Sequence, residues 1–392
     1  MKPSPVRYSA LSLTHNCNLR CKYCYTGDKT ADRMERSTAL RAIDFLHEQS
    51  DGKCVVTFFG GEPLLELDLI KDVVSYSRGQ YGTQIAFRMS TNGTLLSEEI
   101  LAFLSDNEIY FVLSIDGCEQ QHNMMRHYVD GKGSYHVIEK NLAEVLRINP
   151  YTLAVSVVTP ETAGYLSAGV QDLFRKGFRY VVQTLDYSAP WQEHDLWELK
   201  HQYRLLAAYY GEQIMSGEKI YYSPFDERIK TWAQKPYSNG DPCDLANTQI
   251  AIAPSGRIYP CVQFIGDDSA EFQENVIGEV FSGFDDERRC WFIEQNYHEK
   301  ETCKGCALRG RCATFCGCVN WRATGKLDQI PPIICAHERM LLPIVDKMAS
   351  RLWSRNSELF KRKFYEKTYP ISSYIDDCQF SVRRVNAQDK AG

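Results

Sequence analysis

Near the start of the sequence stand Cys17-Asn18-Leu19-Arg20-Cys21-Lys22-Tyr23-Cys24-Tyr25. Three thiolates at C-x3-C-x2-C spacing can hold three corners of a cubane [4Fe–4S] cluster, which normally takes four cysteines. The fourth iron would stay open to a small chelating molecule. A zinc knuckle is the competing reading. Zinc favours C-x2-C pairs and four closed ligands, and His15 lies too near Cys17 to close the loop comfortably.

The sequence holds fifteen cysteines, none between Cys118 and Cys243 and nine from Cys243 to Cys335 inclusive. The later field reads Cys243, then Gly256-x4-Cys261, then Cys303-x2-Cys306-x5-Cys312-x3-Cys316-x-Cys318, and last Cys335. Such clustering points to metal in the C-terminal third, with two four-cysteine zinc sites as the alternative. Cys54, Cys118 and Cys378 read as incidental or buried thiols.

These residues need a scaffold. Apolar, β-rich runs at Tyr8–Thr14, Cys54–Phe59, Ile85–Ser90, Tyr110–Ile115, Leu153–Val158 and Tyr180–Leu185 alternate with amphipathic stretches. The latter are Thr38–Gln49, Leu65–Arg78, Ser97–Ser105, Ser134–Ile148 and Glu161–Lys176. Repeated strand–helix alternation predicts βαβ units and a parallel sheet. Six strands fit a partial (β/α)6 TIM-type barrel, an α/β fold whose chemistry sits at the C-terminal strand ends. The cysteine triad follows the first strand, as that rule requires.

The expected organisation is a barrel over 1–190, a helical linker over 191–242, a cysteine-rich domain over 243–337 and a helical tail with a flexible end over 338–392. Leu199–Met215 reads as a long helix, and Pro236, Ser238, Asn239, Gly240 and Pro242 break the pattern after it. Net charge is −5 and the pI about 6. No nucleic-acid partner is expected from that balance, since phosphate binding needs a basic surface. No apolar run is long enough for a membrane span, and no signal-peptide core precedes the first strand. A reducing cytoplasm is the expected location, with few disulfides.

Other chemistry-bearing residues sit at predicted strand tips. Gly60-Gly61-Glu62-Pro63 follows the second strand. Its glycines would let backbone approach a ligand, and its carboxylate and carbonyls could accept hydrogen bonds from an ammonium group. Ser90 and Asn92 end the third strand, and Ser114 and Asp116 the fourth. Arg126 could pair with a carboxylate. Val158 and Leu185 could flank a base.

The triad with the aromatic Tyr25 directly after it, followed by the GGEP segment, resembles the radical S-adenosylmethionine (SAM) superfamily. That resemblance implies that Cys17, Cys21 and Cys24 hold a cluster whose open iron chelates SAM, which is then split to methionine and a 5′-deoxyadenosyl radical. By the same resemblance, Gly60, Gly61, Glu62 and Pro63 would hold the SAM amine, Arg126 its carboxylate and Ser114 its ribose, with Ser90, Asn92 and Asp116 beside them. Tyr25, through its backbone, and Val158 and Leu185 would contact adenine.

The C-terminal field resembles the SPASM domain of peptide- and protein-modifying radical SAM enzymes. This implies two auxiliary clusters, hence three [4Fe–4S] clusters in all. Cys303, Cys306, Cys312 and Cys335 would close auxiliary II. Cys243, Cys261 and Cys316 would bind auxiliary I, whose fourth iron is vacant unless Cys290 or Cys318 fills it.

The implied activity is that of a peptide maturase that installs thioether (Cys S–C) crosslinks in a ribosomally made precursor peptide. A substrate thiolate held on the open auxiliary iron would couple to the carbon from which hydrogen was taken. An electron donor such as flavodoxin or ferredoxin is implied. The alternatives are a C–C or C–O crosslink, epimerisation, or, from another class, a non-catalytic metal-binding module. Anaerobic sulfatase maturation is disfavoured, because Val262 stands where those enzymes place an Asp base, and Asp267 and Asp268 lie off that position. Sixteen residues precede Cys17, too few for the winged-helix leader-binding domain many peptide maturases carry, so none is expected ahead of the barrel. The segment Arg351–Lys367, with six basic and two acidic residues, could grip an acidic leader or be a solvated helix face.

Overall fold

The computed structural model describes residues 2–234, 243–312 and 316–374. The chain breakers from Pro236 to Pro242, Cys378 and the end of the tail lie outside the described residues.

Six strand–helix units open the fold. Strand β1 (Tyr8–Ser12) leads to α1 (Arg36–Gln49), β2 (Cys54–Phe59) to α2 (Leu67–Tyr81), and β3 (Ile85–Thr91) to α3 (Glu98–Asp106). Strand β4 (Tyr110–Ser114) leads to α4 (Glu119–Met125) and α5 (Tyr135–Ile148), β5 (Leu153–Val158) to α6 (Leu166–Arg175), and β6 (Tyr180–Leu185) to α7 (Glu193–Ser216). All six pair in parallel in chain order. Parallel neighbours need a crossover, and the amphipathic helices supply it while covering the sheet. Strand faces alternate in burial, as in β2, where Cys54, Val56 and Phe58 are buried. Phe58 stacks on Phe87 of β3 at 5.2 Å between ring centroids.

The fold departs from the expected organisation in three places. The segment 191–242 is more than a linker: after α7 it adds a short strand β7 (Tyr221–Tyr222), parallel to β6, and helix α8 (Ser223–Ala233). The C-terminal segment does not build a sheet of its own. Its strands β8 (Gln249–Ile252), β9 (Arg257–Tyr259), β10 (Gly278–Glu279) and β11 (Gly283–Phe284) extend the same sheet, with β8 parallel to the free edge of β1. The sheet therefore runs as eleven strands in the order β11-β10-β9-β8-β1-β2-β3-β4-β5-β6-β7, and it stays open, in keeping with the partial barrel expected from the sequence.

Helices α9 (Asp286–Tyr297) and α10 (Gly317–Thr324) follow. Helix α11 (Pro332–Ser354) then runs without a break through the expected boundary at 337/338, and α12 (Glu358–Tyr365) ends the described helices. Arg228 of α8 and Glu338 of α11 form a buried ion pair, with Arg228 Nε 3.0 Å from Glu338 Oε2. His337 of α11 meets Tyr203 of α7 at 3.0 Å and Tyr187 at 3.1 Å. Buried polar groups matched this way fix how the tail seats on the sheet domain. Among the described residues no helix is long and apolar enough to cross a membrane.

Candidate active site

The loop after β1 carries the cysteine triad. It is held from below by the turn after β2. The Gly61 N–H donates to Thr14 O at 2.8 Å and the Glu62 N–H to Asn16 O at 2.9 Å. A Cβ on Gly61 would lie 2.0 Å from Asn16 O, and one on Gly60, whose φ is +138°, 2.4 Å from Thr14 O. Both glycines are thus required by the chain's own backbone, packed just ahead of Cys17. This is a different reason from the ligand approach expected from sequence.

Glu62 is fully buried. It accepts from Leu64 N at 3.1 Å, Thr91 Oγ1 at 2.8 Å and Asn92 N at 2.8 Å. Burial pushes its carboxyl up to about 7 against these three donors. Its first role is to clamp the β2 turn to the tip of β3. Pro63 is buried, does not line the cavity, and occupies the first position of a short 3-10 turn, where its missing N–H costs nothing.

A cavity of about 330 Å³ opens above these strand ends. Of the residues named from sequence, Cys17, Cys21, Cys24, Tyr25, Gly60, Gly61, Glu62, Ser90, Asn92, Ser114, Arg126 and Leu185 all line it. The hydroxyls of Ser90 and Ser114 have no hydrogen-bond partner among the described residues. Asn92 is already engaged: its Nδ2 donates to Asn18 Oδ1 at 2.9 Å and sits 3.8 Å from Cys17 Sγ. It braces the cysteine loop.

Besides Pro63, two further expected contacts fall elsewhere. Val158 is fully buried on the opposite face of β5, and Val155 and Val157 line the cavity in its place. A strand alternates with period two, so a one-residue error in counting reverses the side. Asp116 is buried behind the wall rather than in it. It accepts from Arg126 Nε at 3.0 Å, from Val157 N at 3.0 Å and from the Tyr23 hydroxyl. It therefore aims Arg126, whose Nη1 stands 4.0 Å from Cys21 Sγ.

The thiols differ in their surroundings. Burial raises the pKa of Cys17, and it pushes Cys21 up to about 11 despite the nearby Arg126. Burial would also raise Cys24, but the Lys29 ammonium, 3.1 Å from its Sγ, and hydrogen bonds with Thr26 bring it below the ordinary thiol value. Among the described residues no three Cys, His, Asp or Glu side chains converge closely enough to hold a single metal ion. A cubane asks for something else, one thiolate at each of several irons. The chemistry of the triad fits it: three thiols on one short loop, beside two cations.

Sequence reasoning missed several lining residues. Lys29 and Tyr23 sit in or just after the triad motif. Asp186 and Tyr187 follow β6. Gln263, Val319 and Arg322 come from the C-terminal segment and roof the cavity, with the Arg322 guanidinium 5.3 Å from the Tyr25 ring centre. A second cavity, of about 320 Å³, shares Thr184, Leu185, Tyr187, Gln263 and Val319 with the first. It runs on to Cys312 and Cys316.

The C-terminal thiols gather in two places. Cys335, at the first turns of α11, lies near enough to Cys303 and Cys306 for both to raise its pKa, with burial the larger cause. Cys243, Cys261, Cys316 and Cys318 meet one another: Cys316 Sγ is 3.0 Å from Cys318 Sγ, Cys243 is hydrogen-bonded to Cys316, and Cys318 to Cys261. Cys290 lies on α9. Cys54 is buried at the start of β2.

Residues 11–166 match the family described as the Radical SAM superfamily. The chain carries a radical SAM domain. The chain is 33% identical over 177 residues to an uncharacterised protein of Methanocaldococcus jannaschii, a match covering 45% of this chain and 61% of that one. It is 24% identical over 324 residues to a cysteine-type anaerobic sulfatase-maturating enzyme of Clostridium perfringens, covering 76% and 85% of the two chains. It is 21% identical over 336 residues to the radical SAM cyclopropyl synthase TigE of Paramaledivibacter caminithermalis, covering 78% and 66%. In fold it resembles the structure of anSMEcpe with bound AdoMet, with a TM-score of 0.75 at 18% identity over 92% of this chain and 98% of that one. It also resembles Streptococcus suis SuiB bound to its precursor peptide SuiA, with a TM-score of 0.59 at 15% identity over 85% and 76%.

Proposed function

We propose that this radical SAM enzyme modifies a ribosomally made precursor peptide and installs thioether crosslinks in it. One observation carries the reading: the triad cavity is roofed by the C-terminal cysteine segment and continues, through shared walls, to Cys312 and Cys316. A substrate side chain reaching the first cavity would pass within the second. Relatives in sequence include a sulfatase maturase and a cyclopropyl synthase, and SuiB is a fold neighbour solved with a precursor peptide. All support a peptide as the substrate.

In this reading Cys17, Cys21 and Cys24 hold the cluster that binds SAM, which supplies a radical able to take hydrogen from carbon. Cys303, Cys306, Cys312 and Cys335 hold auxiliary II, and Cys243, Cys261 and Cys316 belong to auxiliary I. The chain's own work is placement. Arg126, aimed by Asp116, offers its outer nitrogens to the SAM carboxylate, and Ser90 and Ser114 offer free hydroxyls to its polar groups. Val155, Val157 and Leu185 give apolar walls. The C-terminal roof excludes water that would quench a radical. Electrons arrive from a small donor protein such as flavodoxin or ferredoxin.

Formylglycine formation is the alternative the relatives raise. Val262 cannot take a proton, and the Asp268 carboxylate is engaged, its Oδ1 accepting from the Tyr259 hydroxyl at 2.7 Å and from Arg257 Nη1 at 3.4 Å. Anaerobic co-expression with a small cysteine-containing open reading frame beside the gene, followed by mass spectrometry, tests the choice. Loss of two hydrogens per crosslink together with loss of iodoacetamide labelling supports the thioether. Loss of hydrogens with every thiol still alkylated would refute it in favour of another bond.

A further inference from the structure

We infer that Cys318 is the fourth protein ligand of auxiliary I, so that this cluster is closed. The inference rests on the auxiliary-cluster reading above. Three places in the fold deliver the thiols: Cys243 precedes β8, Cys261 follows β9, and Cys316 caps α10 with Cys318 in its first turn. Cys318 is no stray neighbour. It touches Cys316 at 3.0 Å and Cys261, making the group continuous from Cys243 to Cys261.

Tight packing holds the turn in place: Asn296 Nδ2 donates to Cys243 O at 2.6 Å, and a Cβ on Gly317 would lie 2.3 Å from Asn296 Oδ1. A closed auxiliary I cannot capture a substrate thiolate by direct ligation. The substrate thiol is then held by protein side chains, and the cluster is left to carry electrons.

The test uses the full chain with Cys17, Cys21 and Cys24 changed to Ala, which isolates the auxiliary clusters. Reconstituted under anaerobic conditions, this parent should hold about 8 iron per chain. Its reduced paramagnetic resonance spectrum should not change when 2-mercaptoethanol is added. Cys318→Ala should either lose about half of that iron or give a spectrum that shifts with 2-mercaptoethanol, whereas Cys290→Ala should match the parent. A parent spectrum that already shifts with the thiol, or a Cys318→Ala protein identical to the parent, overturns the assignment. A parent holding no iron overturns the auxiliary clusters themselves, and the two failures are thereby distinguished.

A separate observation concerns the groove between α7 and α11. It encloses about 860 Å³ and is lined by Lys200, Arg204, Arg339, Lys347, Arg351 and Arg355 against one carboxylate, Glu212. Among the described residues none of these six cations has an acidic partner, while neighbouring Arg228 and Arg311 are paired with Glu338 and Asp346. The groove floor is apolar, with Met340, Ile344, Met348 and Leu352 along α11. A cationic rim over an apolar floor, on a protein of net charge −5, is complementary to an amphipathic helix with acidic residues on its outer face.

We propose that this groove docks an acidic, amphipathic helical segment of the precursor peptide, a proposal that presupposes the peptide-maturase reading. The sequence-level basic patch is thereby redrawn. Lys363 is buried against Asp226 and is not available, whereas Arg351 and Arg355 join residues of α7 and α11.

A fluorescein-labelled peptide with Glu on one helical face and Leu on the other serves as probe, with a scrambled peptide of identical composition beside it. The first should bind the full chain, with affinity falling as salt rises. Combined Arg204→Glu, Lys347→Glu and Arg351→Glu substitution should weaken it at least about tenfold and leave 5′-deoxyadenosine formation intact. Equal binding of the scrambled peptide, equal binding by the reversed variant, or tighter binding of a labelled oligonucleotide would overturn the groove. Loss of SAM cleavage in the unaltered protein would instead strike the radical SAM site.

Discussion

The chain assembles thiols in two contrasting ways. Cys17, Cys21 and Cys24 lie on one short loop, beside Lys29 and Arg126, and facing a cavity. Cys243, Cys261, Cys316 and Cys318 come from three separate places in the chain and form one continuous group. The first arrangement leaves room and positive charge where a small molecule can enter. The second is turned inward, thiol against thiol. In the reading proposed above, the first binds a small molecule and the second carries electrons.

The contrast is open to direct attack. Gly61→Ala should do the greatest damage to the first site, because the new Cβ must displace Asn16 O immediately before Cys17. A shift of that size in a reacting centre costs about 100-fold. SAM cleavage should fall accordingly, while the iron held by the C-terminal thiols stays unchanged. Iron loss spread evenly over both regions would show that they are not independent.

A smaller effect lies behind the wall. His122 is fully buried, accepts from Asp116 N at 3.3 Å and meets Ser134 Oγ at 2.9 Å. Burial pushes its pKa down to about 4. The unfolded chain therefore binds the extra proton first, and stability is lost as pH falls from about 6.5 towards 4. Urea unfolding should show about 2 kcal/mol less stability at pH 5 than at pH 7 from this group. His122→Gln should flatten that slope. An unchanged slope would remove His122 from the support of Asp116 and Arg126.

The smallest expected effect is none at all. A sulfatase-type cysteine peptide should gain no aldehyde, as read by hydrazide capture, and Val262→Asp alone should not create that activity. An aldehyde formed by the unaltered protein would overturn the choice of thioether chemistry.

Much of the first region was legible in the sequence because its ligands are local. The strands Cys54–Phe59, Leu153–Val158 and Tyr180–Leu185 coincide with β2, β5 and β6, since an apolar run between turn residues is a short-range signal. The parity of Val157 and Val158 was not legible, because a continuous Val-rich strand looks alike from both faces. Nor was β7, whose two residues gain strand character only by pairing with β6. Asp116 reads as a ligand in sequence and as a brace in the fold, for its hydrogen bonds reach across from Tyr23 and Val157. The closure of the second thiol group by Cys318 needed the fold, because its neighbour Cys261 is far away along the chain. Among the roof residues, Gln263 and Val319 had a local cue, two places after Cys261 and directly after Cys318.

The most direct test of the central claim is anaerobic SAM cleavage by reduced, reconstituted protein. The account predicts 5′-deoxyadenosine from the unaltered chain. It predicts none from a variant with Cys17, Cys21 and Cys24 changed to Ala, which should keep about two-thirds of the iron. A triple variant that still makes 5′-deoxyadenosine would contradict it.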